Sequence, residues 1–166
     1  MNLTEIAPID AWKTLEEEIY QRSGLNASVF DNQGKRITDS VHWVNEICPK
    51  IKSNPKGQTF ICSLAHQNVV NRIEKNAAAV IDECDAGLVK FAVPIYHQGT
   101  LLGVAGGCGL LPAHGEVDTF LVHQTIETDE ETLIDLSRGI DQIDQDRLNQ
   151  TIAFVESEIE SMLKAP

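Results

Sequence analysis

The chain has 166 residues, 42% hydrophobic and 23% charged. That length suggests one domain with a sizeable core, and that balance is ordinary for a soluble globular protein. Lys and Arg number 13 against 25 Asp and Glu, a net charge of −12, and with no basic stripe this argues against direct binding to nucleic acid.

No apolar run reaches 18 residues, and the N-terminus MNLTEIAPIDAW lacks a charged-then-apolar signal pattern. The expectation is a cytoplasmic protein without a membrane span. Thiols stay reduced in that compartment, so four cysteines are expected free, redox-active or metal-bound rather than paired.

Asp10 is placed to cap a first helix, with Trp12, Leu15 and Ile19 at helical spacing. Glu16, Glu17 and Glu18 are expected to face water, and Gly24 to end the helix. The segment LNASVFDNQGKRIT reads as strand, turn, strand, turning at Asp31 to Gly34. Trp43, Val44, Ile47, Cys48 and Ile51 fit a short helix, and Pro55 with Gly57 marks a loop. A longer helix is predicted from about Gln58 to Asn76, with Ile61, Leu64, Ala65, Val69 and Ile73 inward. Cys62 and His66 lie four apart on one of its faces.

The most apolar stretch, Cys84 to Leu111, reads as a β-hairpin. Leu88 to Ile95 forms one strand, Thr100 to Ala105 the other, and Tyr96 to Gly99 the loop. Leu88, Lys90 and Ala92 share one face, Val89, Phe91 and Val93 the other. Gly106, Gly107 and Gly109 surround Cys108, and this glycine-lined end suggests a ligand pocket. Beyond Pro112, Phe120, Val122 and His123 suggest a further strand. Thr128 and Glu131 form a capping box for a helix through Leu133, Leu136 and Ile140. Asp144 caps a last helix over about 144–164. Its Leu148, Ile152, Val155, Ile159 and Met162 are spaced four, three, four, three. That seam of about two heptads offers either packing on its own domain or a homodimer.

Cys84, Asp85, Ala86, Gly87 and Leu88, then Phe91 to Ile95, Gly99 and Gly103, resemble the PocR-type sensory domain. Weaker matches lie at Asp31 to Gly34 with Lys35 and Thr38, at Cys48 and Cys62, and in the C-terminal helices. Asp85 stands where the family pattern usually has His, and Cys108 where Gln is common. The resemblance implies an α/β (α+β) fold, a PAS-like antiparallel sheet with flanking helices and a C-terminal signalling helix. It implies a single domain over 1–166, its core about 10–140, that senses small hydrocarbon derivatives. Such domains usually precede a DNA-binding module, a histidine kinase or another output domain. The chain ends at Pro166 with none, so it is expected to be part of a longer protein or to act through a partner.

The pocket residues expected from this reading are Trp43, Cys84, Phe91, Gly107 and Cys108. Cys48, Cys62, Cys84 and Cys108 are separated by 13, 21 and 23 residues, none of them a metal-knuckle spacing. Folding can still gather them. Soft thiolates then suit zinc, with His66 as an alternative ligand, or an iron–sulfur cluster, and the alternative function is a redox or gas sensor on the same fold. The competing reading is that they are small buried hydrophobes. No phosphate loop, nucleophile elbow or His-Glu-x-x-His helix is present, so an enzyme is not expected.

Overall fold

The computed structural model describes all 166 residues. Two helices, α1 (Leu3–Ile6) and α2 (Ile9–Ser23), precede strand β1 (Asn26–Asp31). After a loop come α3 (Ile47–Lys52) and α4 (Pro55–Gly57). A π-helical segment (Gln58–Ser63) then runs into α5 (Leu64–Asn76). Strands β2 (Val80–Glu83), β3 (Val89–His97) and β4 (Thr100–Cys108) complete the main sheet. The C-terminal part holds β5 (Leu111–Pro112), α6 (Thr119–Ile126), α7 (Glu130–Leu136), β6 (Gln142–Ile143) and α8 (Gln145–Lys164).

The four main strands lie in the order β1-β4-β3-β2, all antiparallel, and form the PAS-like sheet that the resemblance implies. The central hairpin β3–β4 turns more tightly than expected. Only Gln98 and Gly99 link the strands, with φ of 50° and 81°. Two successive positive φ values match the twist of a two-residue hairpin, so β4 starts at Thr100 and runs on to Cys108 rather than ending at Ala105.

The alternation along β3 sorts the two sides of the sheet. Val89, Phe91, Val93 and Ile95 point into the largest core, with Trp12, Leu15 and Ile19 of α2 and Leu148, Val155 and Ile159 of α8. Ala92 packs on the other side with Val104 of β4 and with Val69 and Ile73 of α5. A third core joins α3, the π-helical segment, α6 and α7 through Ile47, Ile61, Val122 and Leu133. The sheet therefore carries α2 and α8 on one face and α5 on the other.

The expected caps at Gly24 and Asp144 are present. Gly24 has φ 75° and its N–H donates to the Tyr20 carbonyl, and the Asp144 side chain accepts from the Arg147 N–H. The seam of α8 is spent inside the domain, because Leu148, Val155 and Ile159 are buried against the sheet and α2. This is the packing on its own domain that the spacing offered.

Other expectations also change. Phe120, Val122 and His123 lie in helix α6, not a strand. Asp118 caps that helix by accepting from the Leu121 N–H, and Val122 and Ile126, four apart, are its buried residues. Asp129, not Thr128, caps α7, which ends at Leu136 before Ile140. The second strand after the Asp31 turn shrinks to a single bridge between Phe30 and Arg36. There the Arg36 side chain is drawn back to the Ala27 and Ser40 carbonyls and to Glu16. Glu16 is buried, 1% exposed, rather than facing water. Leu64 is exposed, because the π-helical segment before it shifts the helical phase. A further helical turn, α1, precedes the expected elements; a capping box between Asn2 and Glu5 forms it.

Candidate functional site

A cavity of about 470 Å³ lies between the α5 face of the sheet and the helices α3 to α5. The strands supply Phe30, Lys90, Leu101, Gly103, Val104 and Cys108, and Leu88 comes from the turn before β3. The helices supply Cys48, Ile51, Lys52, Ile61, Cys62, His66 and Val70, with Gln67, Asn71 and Glu74 adding polar groups. Ligand sites are typically of this size and mix apolar walls with a few polar groups.

All four cysteines reach this cavity, each from a different element. Cys48 is on α3, Cys62 on the π-helical segment, Cys84 in the turn after β2, and Cys108 at the end of β4. All are free and partly buried. The π-helical segment gives Cys62 its place, and single π turns inside helices are frequent at functional sites. Cys84 is placed by a tight turn, in which Gly87 N–H donates to the Cys84 carbonyl and Cys84 N–H to the Leu88 carbonyl. Gly87 has φ 89°, and a Cβ there would sit 2.7 Å from the Glu116 carbonyl oxygen. Gly87 is thus a geometric requirement of the turn.

Trp43, Phe91 and Gly107 do not line the cavity. Trp43 is 45% exposed, in the loop before α3. Phe91 is buried in the α2–α8 core. Gly107 pairs with Phe91, and a Cβ on it would meet Leu25 and Phe91. The physical reason is alternation. Cys108 pairs with Lys90 on the cavity face, so Gly107 and Phe91 face the opposite way. Of the five expected pocket residues, Cys84 and Cys108 lie in the wall.

Burial dominates the chemistry of the thiols. The Cys48 thiol is pushed up to about 12, first by burial and then by Cys108, while a hydrogen bond from Asn45 opposes the shift. Burial also raises Cys62, where Lys52 opposes the shift, and Cys84, where backbone N–H groups of Leu88 and Ala86 oppose it. These thiols are protonated at neutral pH, which is unsuited to nucleophilic catalysis. No three Cys, His, Asp or Glu side chains close tightly enough around one point to hold a single metal ion.

His66 stands in the same wall, one helical turn beyond Cys62, and packs its ring on Phe30, centroids 4.5 Å apart. Burial, then Lys90 and Lys52, lower its pKa from 6.5 to about 4. The folded state thus refuses a proton that the unfolded chain accepts, so stability is lost as pH falls from about 6.5 towards 4. His66→Gln is expected to flatten this acid limb. Thermal unfolding of both proteins between pH 7 and 4.5 measures it; parallel curves would mean that His66 titrates normally.

Asn45 and the two lysines are site residues that the motifs do not mark. Asn45 ties α3 to the end of β4. Its Oδ1 accepts from the Cys48 N–H at 2.7 Å, and its Nδ2 donates to the Gly109 carbonyl at 2.6 Å and faces the Cys48 sulfur at 3.2 Å. An Asn three residues before Cys48, at a helix start, is the sequence signal that could have found it. Alternation places Lys90 on the correct strand face, but nothing in the sequence says which helix covers that face.

An antiparallel sheet, helices on both faces and a cavity walled by thiols and lysines define the class: an α/β domain with a candidate ligand pocket. The chain belongs to the family described as the sensory domain found in PocR, whose model matches residues 5–165. No curated protein matches significantly. Among solved structures, the chain is similar to an IclR homolog complexed with 4-hydroxybenzoate from Microbacterium hydrocarbonoxydans. That match has 9% identity and a TM-score of 0.37, and covers 92% of this chain and 68% of that one.

Proposed function

We propose that the chain is the small-molecule input domain of a bacterial signal transduction or transcriptional regulatory system, working in the cytoplasm. The cavity of about 470 Å³ between the sheet and α5 is the observation that carries this reading. A small organic ligand would lie against Phe30, Leu101 and Val104, with His66, Asn71 and Glu74 within the same walls to fix its orientation. The role is binding rather than catalysis, in keeping with a sensory family and protonated thiols.

Strand β3 offers the route for the signal. Lys90 lines the cavity, while Val89, Phe91 and Val93 of the same strand pack in the core that holds α8. A ligand that favours one setting of β3 therefore also biases α8, and only by its differential affinity for the two settings. An output domain or partner protein would read that helix.

The test is a thermal-shift screen of small alcohols, diols, ketones and aromatic acids. A ligand at a hundred times its Kd adds about 2.7 kcal/mol, which is about 5–10 °C for a chain of this size. Val104→Trp fills the cavity and is expected to abolish the shift. A screen in which nothing moves the melting temperature, or a shift that survives Val104→Trp in a folded protein, sinks the reading.

A further inference from the structure

We propose that Cys48, Cys62, Cys84 and Cys108 together ligate a four-iron, four-sulfur cluster at the β4 end of the cavity. The proposal rests on the geometry of the cavity and is independent of whether an organic ligand occupies the remainder.

These are the only cysteines in the chain, and they come from four elements far apart in sequence. All four line one cavity, and Cys48 lies within electrostatic reach of the other three. Cys48, Cys62 and Cys84 also pack against one core, that of α3, α6 and α7, which holds them at the cavity edge.

A tetrahedral zinc site with bonds of about 2.3 Å needs its four sulfurs about 3.8 Å apart. No three ligand side chains are gathered that tightly here. A four-iron cluster takes one sulfur at each of four separate irons, so its cysteines stand much farther apart. Four soft thiolate donors in one cavity match in number and kind what a four-iron cluster takes, and they are not gathered as a single ion would need.

Neutral thiols are weak acceptors, yet N–H groups are turned towards two of these sulfurs. The Asn45 amide lies 3.2 Å from the Cys48 sulfur, and the backbone N–H groups of Ala86 and Leu88 favour the Cys84 thiolate. Lys52 and Lys90 stand in the same walls and favour a Cys62 thiolate. Four thiolates around an oxidised cluster leave a charge of about −2, which two lysines offset; charge and N–H···S bonds are the features by which proteins tune such centres.

The experiment is anaerobic reconstitution of the full chain with ferrous iron and sulfide, followed by desalting. The result expected is a brown protein with about four irons and four sulfides per chain and a broad visible band near the usual iron–sulfur region. Cys48→Ser, Cys62→Ser, Cys84→Ser and Cys108→Ser are each expected to lower retained iron at least fivefold, with circular dichroism confirming that each variant is folded. Lys90→Gln is expected to retain the cluster with a lower reduction potential, because a positive charge beside it is gone. Three results overturn the proposal: no retained iron in folded protein, one zinc per chain that iron does not displace, or iron that survives two or more of the serine substitutions. The ligand screen uses a different readout, so either reading can fail alone.

Discussion

Gly106→Ala is expected to destabilise the domain by at least about 3 kcal/mol, although it adds a single methyl group. Gly106 is buried in the middle of β4, paired with Ala92 of β3. A Cβ there would lie 1.9 Å from the Phe91 carbonyl oxygen and 2.9 Å from the Ala92 Cα. Both obstacles are backbone, so no side-chain rotation relieves them. The strands would have to part at the centre of the sheet, where β3 carries the α8 core on one side and the cavity on the other. Gly139→Ala is the control. Gly139 has φ 72° with nothing near its Cβ position, so that change is limited to about 1–2 kcal/mol of backbone strain. Chemical denaturation of both variants makes the comparison. A Gly106→Ala protein no less stable than Gly139→Ala would show that the two strands separate there without cost.

The same strand shows what is legible in the sequence and where legibility stops. Periodicity and caps are local, so the central hairpin, the Gly24 stop and the α8 helix from Asp144 can be read from the residues alone. The alternation of β3 is also readable, with Lys90 on one face and Phe91 on the other. What no local rule supplies is which face the cavity takes, because that depends on α5 crossing one side and α8 the other. Phe91 and Gly107 fall outside the pocket together, since they are cross-strand partners. Adjacent residues of a strand face opposite ways, so Gly107 and Cys108 are incompatible as wall residues on that rule alone. The α6 segment misleads for a different reason. Phe120 and Val122 mimic strand alternation over a short window, while the deciding signal is the Asp118 cap.

Glu16 is the place where the pattern misleads most, and it sets the second large effect. Its neighbours Glu17 and Glu18 suggest a solvated face, but Glu16 follows Leu15 onto the side of α2 that meets β1. There its Oε1 accepts from the Val29 N–H at 2.9 Å and from the Thr38 hydroxyl at 2.5 Å, with Arg36 Nη2 at 3.7 Å. One carboxylate thus ties α2, β1 and the chain after the Asp31 turn. Its second oxygen, Oε2, and the Arg36 Nε are buried without partners. Glu16→Ala is expected to cost about 3–5 kcal/mol, because it leaves the Val29 N–H and the Arg36 charge uncompensated. Glu16→Gln keeps an oxygen for Val29 and Thr38, and is expected to cost markedly less.

The pH dependence separates the carboxylate's charge from its hydrogen bonds. Burial raises the Glu16 pKa above 4.5, against the opposing pull of Thr38, Arg36 and Val29. A raised folded-state value means that the folded protein holds a proton which the unfolded chain has released. Its stabilising share is therefore complete below about 4.5 and is lost as pH rises through the folded value. Urea midpoints for wild type and Glu16→Gln, measured from pH 4 to 8, are expected to diverge in that sense. The wild type should lose ground relative to the glutamine variant as pH rises through that window. A constant difference would place the carboxylate at its ordinary pKa and mean that Arg36 fully offsets the burial.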